Sequence, residues 1–186
     1  DGPGVASVRA QNAYVEEVDS GRIRQLTADG GGDIHNGVAD WVNEEEFNIY
    51  DGFRWSPDGR RLAYWQFNTT GVQRFTLIDN TADLYPRILQ FPYPKPGTTN
   101  SAVRVGIVPA AGGATTWVKT AEPHRDHYIP RMDWVDAQTV VVQNMNRLQN
   151  RNDVLLADAS TGEPRRVLRD QGKGWVEEMD EVVWFN

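Results

Sequence analysis

Hydrophobic residues recur along this chain in short alternating runs, with turn-forming residues between them. Val5 to Ala10 (VASVRA), Ala13 to Val18 (AYVEEV) and Ile23 to Thr27 (IRQLT) read as three strands. Asn12 punctuates the first pair and Asp19-Ser20-Gly21 turns the second, which predicts an antiparallel meander. A loop from Ala28 to Asp33 follows, with three consecutive glycines. Gly52 to Trp55 (GFRW) then leads into Ser56-Pro57-Asp58-Gly59. Proline sets φ at the first central position of that turn, and Asp-Gly closes it tightly. Arg61 to Phe67 (RLAYWQF), Ala102 to Val108 (AVRVGIV) and Thr115 to Lys119 (TTWVK) supply the other strands of this unit. Between them, residues 71–100 break the rhythm. Tyr85-Pro86 and the run Phe91-Pro92-Tyr93-Pro94-Lys95-Pro96-Gly97 cannot form a central strand, because proline lacks the ladder donor.

The cycle then repeats. Ile129 to Trp134 (IPRMDW), Thr139 to Asn144 (TVVVQN), Asp153 to Asp158 (DVLLAD) and Arg165 to Leu168 (RRVL) predict four more strands. Glu181 to Phe185 (EVVWF) reads as the opening of another unit. Gly21, Gly113 and Gly162 each mark the turn between the third and fourth strands of a unit. The last interval has the length of a four-stranded blade, about 40–50 residues, and the first reaches that length once its insertions are removed. The expected fold is all-β: a partial β-propeller of four-stranded antiparallel blades, about two of them whole, with a short helical insertion carrying Glu44 to Glu46. Residues 1–27 end one blade, and 34–50 form the acidic helical insertion. Residues 52–119 form a blade with its own insertion at 71–100, 128–168 form the next, and 181–186 begin another. Propellers have about four to eight blades that bury their faces on one another, so a segment of a longer protein is expected.

Composition narrows the functions. The formal net charge is −7, from 19 basic and 26 acidic side chains among 186 residues. That balance argues against nucleic acid as a partner and suits a cationic ligand. Without cysteine there is neither a disulfide nor a thiolate metal site. No apolar run approaches a membrane span, and Asp1-Gly2-Pro3-Gly4 lacks the basic start and apolar core of a signal peptide. A mature piece of a periplasmic or secreted parent is compatible with both facts.

The segment Asp40-Trp41-Val42-Asn43-Glu44-Glu45-Glu46-Phe47 interrupts the strand pattern. Three consecutive carboxylates repel one another wherever water is scarce. Spacing alone leaves two readings, a solvated helical turn or an acidic receptor for a positively charged group. His124-Arg125-Asp126-His127 invites a zinc reading, but it lacks a third ligand and follows Pro123 in a loop. The glutamates lack the interleaved carbonyls and glycine turn of a calcium site. No metal or other cofactor is therefore expected. Trp41, Phe47, Trp55, Tyr64, Trp65 and Trp134 are assigned to blade core, and Tyr85 and Tyr93 to loop packing.

Taken in order, the motifs carry a resemblance. Asp40-Trp41-Val42 with Glu44-Glu45-Glu46 is followed by Trp55-Ser56-Pro57-Asp58-Gly59, Leu62-Ala63-Tyr64 and Gln66-Phe67-Asn68. Then come Tyr85-Pro86, Tyr93-Pro94-Lys95 with Gly97 and Asn100, Asn146-Arg147-Leu148-Gln149-Asn150, and Gly174-Trp175-Val176. The W-S-P-D-G turn is common to many propellers; D-W-V-x-E-E-E followed by Y-P-K-x-G and N-R-x-Q-N is specific. The whole resembles the propeller domain of the dipeptidyl peptidase IV family and its bacterial relatives, serine peptidases of the prolyl oligopeptidase group.

The resemblance implies an eight-bladed propeller that caps an α/β-hydrolase domain. It also implies a glutamate pair, on a short inserted helix, that binds the free amino terminus of a peptide so that dipeptides are released. By position that pair falls on Glu45 and Glu46, which leaves Glu44 a structural role such as a cap or surface charge. The partners implied are a peptide N-terminus, the α/β-hydrolase catalytic domain of the parent, and a second copy in a homo-oligomer. No G-x-S-x-G elbow occurs in the chain, so the catalytic domain is absent from it and the chain alone is expected to be inactive. The alternative is a non-catalytic β-propeller module for protein binding, whose acidic stretch faces a basic partner. A third reading is a structural remnant with no ligand.

Overall fold

The protein is described from a computed structural model, which covers residues 4–120, 124–180 and 182. Strands β1 (Gly4–Arg9), β2 (Asn12–Glu17) and β3 (Ile23–Gln25) make the predicted meander, in sheet order β1-β2-β3. The second sheet contains β4 (Ile34–Asn36), β5 (Phe53–Trp55), β6 (Arg61–Asn68), β9 (Ala102–Pro109) and β10 (Thr116–Trp117). Helix α1 (Trp41–Phe47) lies between β4 and β5 in the chain. The third sheet contains β11 (His127–Tyr128), β12 (Met132–Trp134), β13 (Thr139–Asn146), β14 (Arg151–Asp158) and β15 (Pro164–Gln171). All these pairings are antiparallel.

Each large sheet is a four-stranded blade whose inner strand is broken. Ile34 pairs with Asn68 and Asn36 with Gln66, while Phe53 pairs with Tyr64 and Trp55 with Leu62. β4 and β5 are thus two collinear pieces against one partner, β6. The acidic segment leaves between them, so Ile34–Asn36 belongs to the blade and not to the helical insertion expected over 34–50. The third sheet repeats the device: β11 pairs with the end of β13 and β12 with its start. The strand expected over Ile129 to Trp134 therefore begins at Met132, and Ile129 to Arg131 form the break.

Alternation along β6 explains the packing. Trp65 and Phe67 face the third sheet, where they join Val105, Met132, Trp134 and Val142 in one buried cluster. Leu62 and Tyr64 face the first sheet and join Ala13, Val15 and Val108. Both faces of β6 are buried, which is why its sequence reads almost continuously apolar. The indole N–H groups lock the blades crosswise: Trp65 Nε1 donates to Ile129 O at 2.8 Å, and Trp134 Nε1 to Arg54 O at 3.0 Å. Burying each large side chain contributes about 2–3 kcal/mol.

Residues 71–100 are not structureless. They hold β7 (Arg74–Asp79) and β8 (Arg87–Pro92), a hairpin that pairs only with itself. Pro92 is tolerated because it sits at the end of an edge strand. Tyr85 is exposed near the hairpin tip, with Leu84, Ile78 and Ile88. The unit expected at 181–186 lies outside the described residues, apart from Val182.

Candidate functional site

The acidic segment is held at its neck, at both helix ends and along one flank. At the neck, Gly37 N–H donates to Trp65 O at 2.9 Å, and Trp65 N–H donates to Gly52 O at 3.0 Å. The loop thus leaves and rejoins the inner strand at one point. Asp40 caps the helix. Its Oδ1 accepts from Asn43 N at 3.0 Å and from Asn43 Nδ2 at 2.7 Å, and its Oδ2 accepts from the Ser101 hydroxyl. Such a cap satisfies donors that the first helical turn leaves open. Asn48 ends the helix in the left-handed region, φ 55°.

Packing then fixes the helix in rotation. Asn43 and Phe47, four apart, are its buried residues, and Phe47 meets Tyr128 at 5.4 Å between ring centroids. Trp41 departs from the expectation of core: it is 38% exposed, and its ring lies 4.6 Å from that of Tyr93 and 5.8 Å from that of Phe91. The helix therefore leans on the base of the β7–β8 hairpin.

A cleft of about 1170 Å³ opens beside the helix. It is lined by Trp41, Val42, Glu46, Tyr93 and Lys95 from the helix and the Y-P-K-P-G loop, and by Trp175, Glu177 and Glu178 from the C-terminal segment. Tyr128, Arg147 and Arg151 also line it. Burial pushes the Tyr128 phenol above its usual value, against the opposing pull of nearby Arg147 and the side chains of Asn100 and Gln149. Arg147 donates to Thr98 O, and Arg125 donates to Asn100 O at 2.7 Å, so both arginines brace the Y-P-K-P-G loop. Near the helix N-terminus, burial lowers the pKa of His35, against opposing fields from Asp40 and Asp33.

Successive helical residues point about 100° apart, since a turn takes 3.6 residues. The three glutamates accordingly fan out. Glu46 lines the cleft, Glu45 is exposed on the side away from Asn43 and Phe47, and Glu44 is half-buried. Among the described residues, none of the three carboxylates is engaged by a hydrogen bond or an ion pair. Glu44 is not the cap that its position allowed; Asp40 is. His127 is fully buried, with Nε2 3.0 Å from Val103 O, and among the described residues no group of three His, Asp or Glu side chains could hold a metal ion.

Comparison with known proteins decides the family. Residues 1–186 match the family described as "Dipeptidyl peptidase IV (DPP IV) N-terminal region". The chain belongs to this family. It is 33% identical over 185 residues to "Dipeptidyl peptidase 4" of Trichophyton rubrum, covering 94% of this chain and 24% of that protein. It is 32% identical over 178 residues to "Inactive dipeptidyl peptidase 10" of Mus musculus, covering 93% of this chain and 22% of that protein. Among solved structures, dipeptidyl peptidase 4 of Porphyromonas gingivalis superposes with a TM-score of 0.87 at 32% identity, over 94% of this chain and 25% of that one. The chain spans about a quarter of the length of these relatives, and its sheets are blades of the N-terminal β-propeller.

The sequence singled out the acidic run but not the residues that hold its helix in place. Asp40 had a readable signal, an Asp directly before a helical run. Ser101 and Arg131 had none, because they meet the helix only through the fold.

Proposed function

We propose that this chain is the substrate-recognition part of a serine dipeptidyl peptidase, with Glu45 and Glu46 receiving the terminal ammonium of a peptide. The observation that carries this reading is the placement of Glu46. It stands in a large cleft with an unengaged carboxylate, on a helix anchored at both ends. A terminal ammonium has three donors, and carboxylates accept them as charge-assisted hydrogen bonds. An ammonium midway between the directions of Glu45 and Glu46, about 50° from each, donates to both. Fixing the amine at one point turns the site into a ruler: a nucleophile at a set distance meets only the second peptide bond. That nucleophile would come from the α/β-hydrolase domain of the parent.

The test is kinetic, on the full-length parent. Glu45→Gln with Glu46→Gln should lower kcat/KM for free-amine dipeptidyl substrates by at least about a hundredfold, the loss of two charge-assisted bonds. Activity on an N-acetylated substrate should change little. Equal kinetics of variant and wild type on the free amine would sink the reading.

A second reading, the non-catalytic binding module, is favoured by the likeness to a relative named inactive. A parent with no hydrolysis of any dipeptidyl substrate, but saturable binding of peptides through the same cleft, would select it.

A further inference from the structure

Arg131 bonds two segments that line the cleft, at Phe47 and at Glu178. It sits in the break between β11 and β12, which aims its side chain at the end of α1. Its Nη1 donates to Phe47 O, the last carbonyl of the helix, at 2.6 Å, and to Pro130 O at 2.8 Å. Its Nη2 donates to Glu178 at 3.3 Å and to Asp180 at 2.5 Å. The helix has seven residues, too few to be stable alone, and its C-terminal end leaves carbonyls open and partly negative. A guanidinium suits that end, because its planar fork bonds on two edges at once.

The helix is therefore tied to its own blade through Asp40 and Ser101, and to the next blade through Arg131. Arg131 also counters a repulsion. Its positive charge joins the segment of Glu178 and Asp180 to the end of the acidic helix, and so offsets the repulsion among carboxylates that share one cleft. We propose that Arg131 is a positioning residue for the amine receptor: it sets the helix against the Glu178 segment so that Glu45 and Glu46 stand where the ammonium arrives. This inference rests on the amine-receptor reading given above. Charge-assisted bonds tolerate little displacement, so a helix free to move by about 1 Å loses them.

The experiment uses the full-length parent and two matched chromogenic dipeptidyl substrates, one with a free α-amine and one with that amine replaced by hydrogen. The reading is the ratio of their kcat/KM values. Arg131→Met should lower that ratio by about tenfold, mainly through KM for the free-amine substrate. Arg131→Lys should restore part of it, and Glu178→Gln should lower it less. If Arg131→Met does not fold, Arg131→Lys and Glu178→Gln carry the same reading. A role in folding alone would lower the melting temperature and depress both substrates equally; an unchanged ratio overturns the proposal. If Glu45→Gln with Glu46→Gln lowers the ratio while the Arg131 variants do not, the receptor stands and the positioning role fails. If the glutamate variant also leaves the ratio unchanged, the receptor reading falls and takes the positioning role with it.

Discussion

Gly52 lies so close to Gly37 that a β-carbon on Gly52 would stand 2.4 Å from the carbonyl carbon of Gly37. The neighbouring atoms, Gly37 O and Val38 N, are also backbone, at 2.6 Å each. No rotamer change relieves such a contact. Gly37 itself has φ 72°, a region that favours glycine. The pair lets the strand ladder on Trp65 continue as though the acidic segment had not been inserted. Gly52→Ala should destabilise the protein by at least about 2 kcal/mol, because it overpacks backbone against backbone. Thermal unfolding of the full-length parent measures this, and an unshifted midpoint would contradict the close approach.

The cap makes a second prediction. Asp40 is 4% exposed and serves three donors from two elements, α1 and the start of the β9 segment. Asp40→Ala removes the cap and strands the Asn43 amide and the Ser101 hydroxyl, at a cost of about 2 kcal/mol or more. Ser101→Ala removes a single bond and should cost about 1 kcal/mol. Hydrogen exchange should show faster opening of α1 in Asp40→Ala than in Ser101→Ala. Equal protection in the two variants would mean that the cap does not hold the helix.

These two positions show what the sequence made legible. The blade strands were readable, because β6 and β13 carry long apolar runs between turn residues, and the meander of β1 to β3 followed from plain alternation. The broken inner strands were not. His127–Tyr128 and Ile34–Asn36 are too short to show a period, and their strand character comes from pairing with β13 and β6. The hairpin of β7 and β8 was hidden by its prolines, which exclude a central strand but not an isolated edge. At the site, the carboxylates announced themselves as a charge run. Their supports did not, because Arg131 lies 84 residues from the Phe47 carbonyl it binds.

Turn chemistry makes a third prediction. Asp158 Oδ1 accepts from Ser160 N at 2.9 Å and Thr161 N at 2.8 Å, and from both hydroxyls. These bonds, the Ser160 hydroxyl foremost, hold its pKa at about 2, below the usual 3.8 of an aspartate. A carboxylate with a depressed folded pKa stabilises above its unfolded pKa and loses that contribution as pH falls through the folded one. Asp158→Ala should therefore melt below wild type at neutral pH, and the gap should close between about pH 4 and pH 2. A gap that persists at pH 2 would assign the effect to packing instead of charge.

The last prediction concerns the charge of the ligand. Glu44, Glu45 and Glu46 meet no cation among the described residues, so a receptor built on them depends on the cation that the substrate brings. A peptide ammonium has an unperturbed pKa of about 7.7–8.0. Carboxylates favour its charged form, so its pKa rises on binding. KM should consequently stay flat below the free value and increase by up to about tenfold per pH unit above it, until the bound value is reached. A substrate carrying a trimethylated amine separates charge from hydrogen bonding, because it stays cationic at every pH but has no N–H to donate. Its KM should not vary over this range, and it should lie above that of the free amine at pH 7. A KM for the free amine that is flat across pH 8 to 9.5 would mean that the acidic helix does not read the ammonium at all.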